Sequence, residues 1–225
     1  MSVEQFVRAV DHTLLDPGAG ERSLHTLCEE ASDRGFAAVC VLPWWVERAR
    51  AALDDVAVCT VIGFPHGLET TRGKCEAARA AVALGADEID VVMAWAALCD
   101  GDVAATGDDL AALVAAVHDE HEQALVKVII EASRLNGEQI ETACGLVADS
   151  GAEFAKTSTG TTGGATVAMV ELMRRALPER VRIKASGGIR SAADAAAMLQ
   201  AGAVRIGTSR ALAIMGEMEA NALAR

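Results

Sequence analysis

Tyrosine is absent from this chain, and none of its six cysteines stands in a C-x-x-C pair. Cys28, Cys40, Cys59, Cys75, Cys99 and Cys144 are scattered, which excludes a recognisable disulfide framework or zinc motif. They read as buried free thiols in a reducing cytosol. Positive charge is also short. The formal net charge is −12, so the surface repels nucleic acid and anionic membranes, and neither is expected as a partner. An anionic substrate would need a positive site built locally against that field. Met1-Ser2-Val3-Glu4-Gln5 has no basic region followed by an apolar run, and no apolar stretch is long enough to span a bilayer. A soluble, cytoplasmic protein is expected. No linker, low-complexity tract or charge block divides the sequence, so a single domain over residues 1–225 is expected.

What the chain does have is a repeating alternation. Ala-rich helical patterns end at glycine, and an apolar run of strand length follows. Gly35, Gly85, Gly151 and Gly202 mark such junctions. Eight strand-like runs are expected at about 10–15, 37–42, 56–62, 87–93, 125–131, 153–157, 181–186 and 203–206. Helices are expected at about 22–34, 43–53, 69–84, 103–122, 136–149, 165–176, 191–200 and 208–222. Ser191 and Pro43 stand where helix starts need them. The alternation predicts an α/β fold, a single (β/α)8 TIM barrel. The alternative is an open doubly wound sheet, which usually carries a phosphate loop after its first strand; none is found here.

Within the strand runs the polar residues keep to one side. Period two puts Lys127, Ile129 and Glu131 on one face, Glu88 and Asp90 on another, Phe154 and Lys156 together, and Lys184 with Arg182 and Ser186. Lys74, Lys127, Lys156 and Lys184 are the only four lysines, and three of them fall in adjacent strand runs. Arginine holds its proton near neutral pH, whereas a lysine can give its proton up. Buried ion pairs with Asp90 and Glu131 would be the plain structural explanation. Three lysines on neighbouring strands beside an aspartate point instead to a functional site. Two neighbouring ammonium groups repel, so one loses its proton more easily. The neutral amine can then attack an aldehyde or ketone and form a Schiff base. A nearby carboxylate is needed to move protons, and Asp90 suits that role.

Two glycine-rich turns supply an anion site. Lys184-Ala185-Ser186-Gly187-Gly188-Ile189 ends the seventh run, and Ile206-Gly207-Thr208-Ser209-Arg210 ends the eighth. In barrels, backbone N–H groups after these strands and a helix N-terminus bind phosphate without a basic surface.

In these residues the chain resembles the deoxyribose-phosphate aldolases, class I aldolases on a TIM barrel. The likeness runs through Asp11-His12-Thr13-Leu14-Leu15, Val39-Cys40-Val41-Leu42-Pro43, Val61-Ile62-Gly63-Phe64-Pro65, Glu88-Ile89-Asp90-Val91-Val92 and Lys127-Val128-Ile129-Ile130-Glu131. It continues in Lys156-Thr157-Ser158-Thr159-Gly160, Lys184-Ala185-Ser186-Gly187-Gly188-Ile189-Arg190 and Arg205-Ile206-Gly207-Thr208-Ser209. The resemblance implies that Lys156 forms the Schiff base, that Lys184 eases its deprotonation and that Asp90 transfers protons. It implies that Asp11, Thr13 and Cys40 line the substrate pocket. Lys127 is also expected on the substrate side. Thr159, Gly187, Gly188, Gly207, Thr208 and Ser209 would contact substrate hydroxyls and phosphate. The implied reaction is reversible cleavage of 2-deoxy-D-ribose 5-phosphate to acetaldehyde and D-glyceraldehyde 3-phosphate, with no metal and no organic cofactor.

The chain departs from the family pattern in the segment Met93-Ala94-Trp95-Ala96-Ala97-Leu98, in His66, and in Arg210 where some members carry a second serine. It also lacks the tyrosine that some members carry at the C-terminus, ending Asn221-Ala222-Leu223-Ala224-Arg225. Two other readings stay open: a Schiff-base aldolase for a different aldehyde pair, and a non-catalytic phosphosugar-binding barrel. His118 and His121 read as an exposed helix face, and His12 as structural. Cys40 reads either as a pocket thiol or as a buried, hydrophobe-like one. Of Trp44 and Trp45, one is expected to pack on the barrel and the other to face a partner subunit, which makes a homodimer the expected assembly.

Overall fold

The computed structural model describes residues 1–223, and Ala224 and Arg225 of the C-terminal segment lie outside the described residues. Its strands are β1 (Val10–Leu14), β2 (Ala38–Val41), β3 (Ala57–Ile62), β4 (Glu88–Val92), β5 (Leu125–Ile129), β6 (Phe154–Lys156), β7 (Arg182–Ser186) and β8 (Arg205–Thr208). All neighbours are parallel, and β8 pairs back onto β1 to close the barrel. Its helices are α1 (Val3–Val7), α2 (Glu21–Arg34), α3 (Val46–Ala52), α4 (Thr71–Ala83), α5 (Trp95–Cys99), α6 (Val103–Glu120), α7 (Gly137–Ser150), α8 (Val167–Ala176), α9 (Ala192–Gln200) and α10 (Ala211–Leu223). The (β/α)8 expectation holds. Among the described residues, no helix is long and apolar enough to cross a membrane.

Local chemistry sets the element ends. Gly35 and Gly151 close α2 and α7 in the left-handed conformation, at φ 68° and 88°, which glycine adopts without a steric cost. Asn136 with Gln139, and Ser191 with Asp194, form reciprocal capping boxes that satisfy the first N–H groups of α7 and α9. Parallel strands covered by helices bury both faces, so alternate residues enter two different cores. The outward set, including Val39, Ile89, Val91, Val128, Ile183 and Ile206, packs with Leu27, Leu110, Leu113, Ile140 and Met173 of the helices. The inward set of β2 and β3, namely Ala38, Cys40, Cys59 and Val61, forms a small separate apolar cluster inside the barrel.

Several boundaries differ from the sequence expectation. The fifth strand stops at Ile129 rather than 131, because Glu131 turns into the left-handed region at φ 52° and opens a short 3-10 helix, Ala132–Arg134. The eighth strand runs from Arg205 to Thr208 rather than 203–206, since the N–H of Ala203 is used in closing α9 on Met198. Pro43–Trp45 is a 3-10 turn ahead of α3. The five-residue helices α1 and α5 were not anticipated; they are too short to show a period.

Candidate active site

Strand alternation brings a dense group of charges into the lumen. Register sets Asp90 beside Lys127, Ile129 beside Lys156, and Lys156 beside Lys184. Asp90 lies at the centre. Its Oδ1 accepts hydrogen bonds from Lys127 Nζ at 2.8 Å and from the Cys59 thiol at 3.1 Å. Its Oδ2 accepts from Lys156 Nζ at 2.7 Å and from Lys184 Nζ at 2.6 Å. Lys184 also pairs with Asp11. Lys127 meets Glu88 at 2.6 Å, and Arg205 ties Asp11 at 2.7 Å to both oxygens of Glu88 at 2.7 and 2.8 Å.

Counting this cluster, four cationic side chains (Lys127, Lys156, Lys184, Arg205) share three carboxylates (Asp11, Glu88, Asp90). Charges taken out of water must be balanced nearby or they shift their protonation. Burial alone would raise the Asp90 carboxyl, but Lys127, Lys156 and Lys184 override it and hold it well below the usual range. Asp11 is held at about 2; burial pushes it up, and Lys184, Arg205 and Lys127 outweigh the burial. Burial would strip protons from Lys184 and Lys127, yet Asp11 and Asp90 hold the Lys184 proton, and Asp90, Cys59 and Glu88 hold that of Lys127. The expectation of like-charge repulsion between Lys156 and Lys184 therefore needs refining. Both ammonium groups sit on one carboxylate oxygen, and Lys184 keeps its charge. With the other members charged, the excess cation of the cluster disappears if Lys156 is neutral.

A cavity of about 390 Å³ opens above this cluster at the C-terminal ends of the strands. Lys156, the last residue of β6, is the one lysine that lines it. Thr13, Thr159, Gly187, Gly188, Gly207, Thr208 and Ser209 also line it. Asp90 and Lys184 lie directly beneath, fully buried. Asp11, Cys40 and Lys127 were expected to face the substrate, but they do not reach the cavity. Asp11 and Lys127 are buried in the ion-pair cluster, and Leu15, Leu42 and Phe64 pack against the Cys40 cluster.

The glycine turns have steric as well as ligand-facing reasons. A Cβ on Gly187 would lie 3.0–3.1 Å from Gly163 O, Gly164 Cα and Gly160 Cα, so three turns meet there backbone to backbone. A Cβ on Gly207 would lie 3.2 Å from Lys184 Cε, so the absence of a side chain there leaves room for the lysine. Thr157 stitches the turn after β6 to the end of β7, giving a hydrogen bond to Ser186 O at 3.2 Å and taking one from its N–H at 3.0 Å. The Thr208 hydroxyl ties the turn after β8 to the turn after β7, donating to Ile189 O at 2.9 Å and accepting the Arg210 N–H at 3.0 Å.

Arg190 and Arg210 stand at the rim of the cavity, and among the described residues no carboxylate forms an ion pair with either guanidinium, although the Arg190 backbone N–H bonds Asp194. Of the departures noted in the sequence, Arg210 lines the cavity, while Met93–Leu98 and His66 do not. Glu88, Arg205, Arg190 and Glu131 were not singled out as site residues in the sequence. The period-two partners Glu88/Asp90 and Arg205/Gly207 carried the signal for the first two.

Cys40, Cys59 and Asp90 bring potential metal-ligand atoms within 4.8 Å of one another. Both Asp90 oxygens are already engaged by ammonium groups, which oppose a cation there. Cys59 is pushed well up by burial, by its bond with Cys40 and by Asp90; the same bond draws Cys40 down. His118 faces Glu153 at 3.3 Å, and His121 Nδ1 caps the N–H of Gln123, so the two histidines do not converge. His12 faces outward to Glu30 at 2.7 Å.

Residues 6–217 match the pattern of the DeoC/LacD family of aldolases. The chain is 48% identical over 213 residues to a deoxyribose-phosphate aldolase of Streptococcus pneumoniae, covering 93% of this chain and 95% of that protein. It is 46% identical over 209 residues to a deoxyribose-phosphate aldolase of Brevibacillus brevis, covering 92% and 93%. The tetrameric deoxyribose-phosphate aldolase structure from Aeropyrum pernix superposes with a TM-score of 0.90 at 31% identity, over 98% of this chain and 93% of that one.

Proposed function

Because the chain belongs to the DeoC/LacD family of aldolases, we propose that it cleaves 2-deoxy-D-ribose 5-phosphate reversibly through an imine on Lys156. The observation that carries this reading is the position of Lys156: it alone among the lumen lysines meets the cavity, and it shares Asp90 Oδ2 with Lys184. The neutral Lys156 amine attacks the aldehyde carbon of the open-chain sugar, and loss of water leaves a protonated imine. The hydroxyl at C3 gives up its proton, the C2–C3 bond breaks, and its electron pair moves into the imine nitrogen. D-Glyceraldehyde 3-phosphate leaves, and an enamine of acetaldehyde remains on Lys156. Protonation of the enamine carbon and hydrolysis then release acetaldehyde and the free amine.

Asp90 and Lys184 are the proton-handling pair beneath the imine. Asp90 Oδ2 touches both Lys156 Nζ and Lys184 Nζ, so Asp90 is placed to pass protons at the imine while Lys184 supplies the balancing charge. The phosphate is placed against the N–H groups of Gly187 and Gly188, Ser209 and the N-terminus of α10, with the cationic rim of Arg190 and Arg210. No metal ion takes part in these steps.

Borohydride reduction in the presence of acetaldehyde tests the reading. A covalent adduct on Lys156 by mass spectrometry is expected; an active enzyme with no adduct there rules out the imine. The remaining partner is a second copy of the chain. Trp44 is 72% and Leu68 63% exposed after neighbouring strands, and both support a homodimer, which light scattering showing a monomer would refute. The unpaired thiols support a cytoplasmic location, to be checked by fractionation.

A further inference from the structure

Glu131 is a buried carboxylate that the imine chemistry leaves unused. Alternation alone would put it on the inward face with Lys127, but the chain turns before reaching that position. Among the described residues, Glu131 is the one non-glycine with positive φ, at 52°. That conformation costs a non-glycine residue about 1–2 kcal/mol, so its surroundings must hold it there.

The shorter holding contacts lead to the turn after β6. Glu131 Oε2 accepts the Thr159 N–H at 3.2 Å and the Thr159 hydroxyl at 2.6 Å. Oε1 accepts the Ser133 hydroxyl at 3.4 Å, and the next residue, Ala132, donates its N–H to Thr157 O at 2.8 Å. Glu131 is fully buried, and its side-chain bonds come from Thr159 and Ser133 rather than from any basic group.

A carboxylate accepts and cannot donate, so the short bond fixes the Thr159 hydroxyl proton on Glu131. Of the two remaining lone pairs of Thr159 Oγ1, one takes the Thr161 N–H at 3.2 Å and the other the Thr161 hydroxyl at 2.8 Å, beside the cavity that both threonines line, where a ligand hydroxyl can take the place of that rotatable Thr161 hydroxyl. Towards a ligand, Thr159 is then an acceptor. It attracts a hydroxyl and disfavours a phosphate oxygen.

We propose that Glu131 is a positioning residue that sets substrate specificity: it orients Thr159 as an acceptor for the hydroxyl that lies between the reacting carbon and the phosphate of the phosphosugar. The proposal rests on the reading of this cavity as a phosphosugar site. A hydroxyl that is free to rotate would serve donors and acceptors alike, and the site would lose that discrimination.

The test compares two acceptors for acetaldehyde by kcat/KM: D-glyceraldehyde 3-phosphate, and 3-oxopropyl phosphate, which lacks the hydroxyl. The wild type should prefer the first by about tenfold or more, the scale of one hydrogen bond. Glu131→Ala should lose about tenfold of that preference. Thr159→Val should lose the same amount, and the double variant should lose no more. Glu131→Gln, whose amide oxygen can still accept from Thr159, should keep the preference within about threefold. A merely structural role would slow both acceptors equally and leave the ratio alone, which would overturn the proposal. Thr159→Val keeps residue 131 and its bond from the Thr159 N–H, so an unchanged ratio in that variant overturns the proposal even if Glu131→Ala does not fold. A wild type that converts neither acceptor overturns the deoxyribose-phosphate reading and the proposal with it.

Discussion

Strands β4 and β5 show two cores built from one set of residues. Facing the helices, Ile89, Val91, Val126 and Val128 join an apolar layer, whose buried charges, among the described residues, are confined to the Lys74–Asp109 pair between α4 and α6 and to His12 with Glu30. Facing the lumen, Glu88, Asp90 and Lys127 alternate with them and carry full charges, as buried as their neighbours. The outer layer is held mainly by area and volume, which do not depend on protonation. The lumen is held by balance, and each member is tolerable only while the others keep their charge. Activity needs one amine to leave that balance, and the surplus of one cation in the cluster provides for it.

The comparison can be broken most sharply at Lys184. Lys184→Leu leaves three cations against three carboxylates, so the charge on Lys156 is now needed for balance. The fold should persist while kcat/KM falls by about 10³-fold at neutral pH, recovering in part as pH rises. Normal turnover by this variant would refute the charge-surplus account. An outward change such as Val128→Ala should lower stability by about 1–3 kcal/mol and leave the pH profile in place.

Next in size is a paired measurement of stability. Asp90→Leu leaves the lumen ammonium groups short of a counter-charge and should cost about 3–5 kcal/mol in urea unfolding at pH 7. Leu113→Ala in the mantle should cost about 2–5 kcal/mol. The two separate on raising the pH: the Asp90 loss should shrink as lysines neutralise, while the Leu113 loss should stay constant. Equal pH behaviour would show that the lumen is not governed by charge.

The smallest expected effect is in the wild type. Asp11 sits at about 2 when folded, against about 3.9 unfolded. Its contribution, about 2–3 kcal/mol, is complete above about pH 4 and is lost as pH falls towards 2. Lys184 and Lys127 are raised when folded, so their contributions are complete below about pH 10 and are lost only as pH rises through the higher folded values. Melting temperature should therefore be nearly flat between these limits and fall at both ends. A steep change near neutral pH would refute this account.

Much of this was legible in the sequence. Glycine-closed helices followed by apolar runs gave the eight βα units, and period two gave the inward set to which Lys156, Lys184 and Asp90 belong. The misses have two causes. Glu131 was placed with Lys127 because alternation assumes an extended backbone, and a left-handed residue ends that assumption. Arg205 went unassigned because its partner Asp11 is 194 residues away, brought close only when β8 pairs with β1.

By itself, then, the amino-acid order determined the architecture and which side of each strand a residue faces, since helix ends and pleat are local properties. The tertiary structure decided height along the barrel axis. Register and stagger between strands place Lys156 at the floor of the cavity and Lys184, Lys127, Asp11 and Cys40 below it. No local pattern encodes that height, because it is set only when eight strands close on one another. The small number of lysines acquires its meaning there: three of the four share one lumen, and the one highest in it meets the cavity.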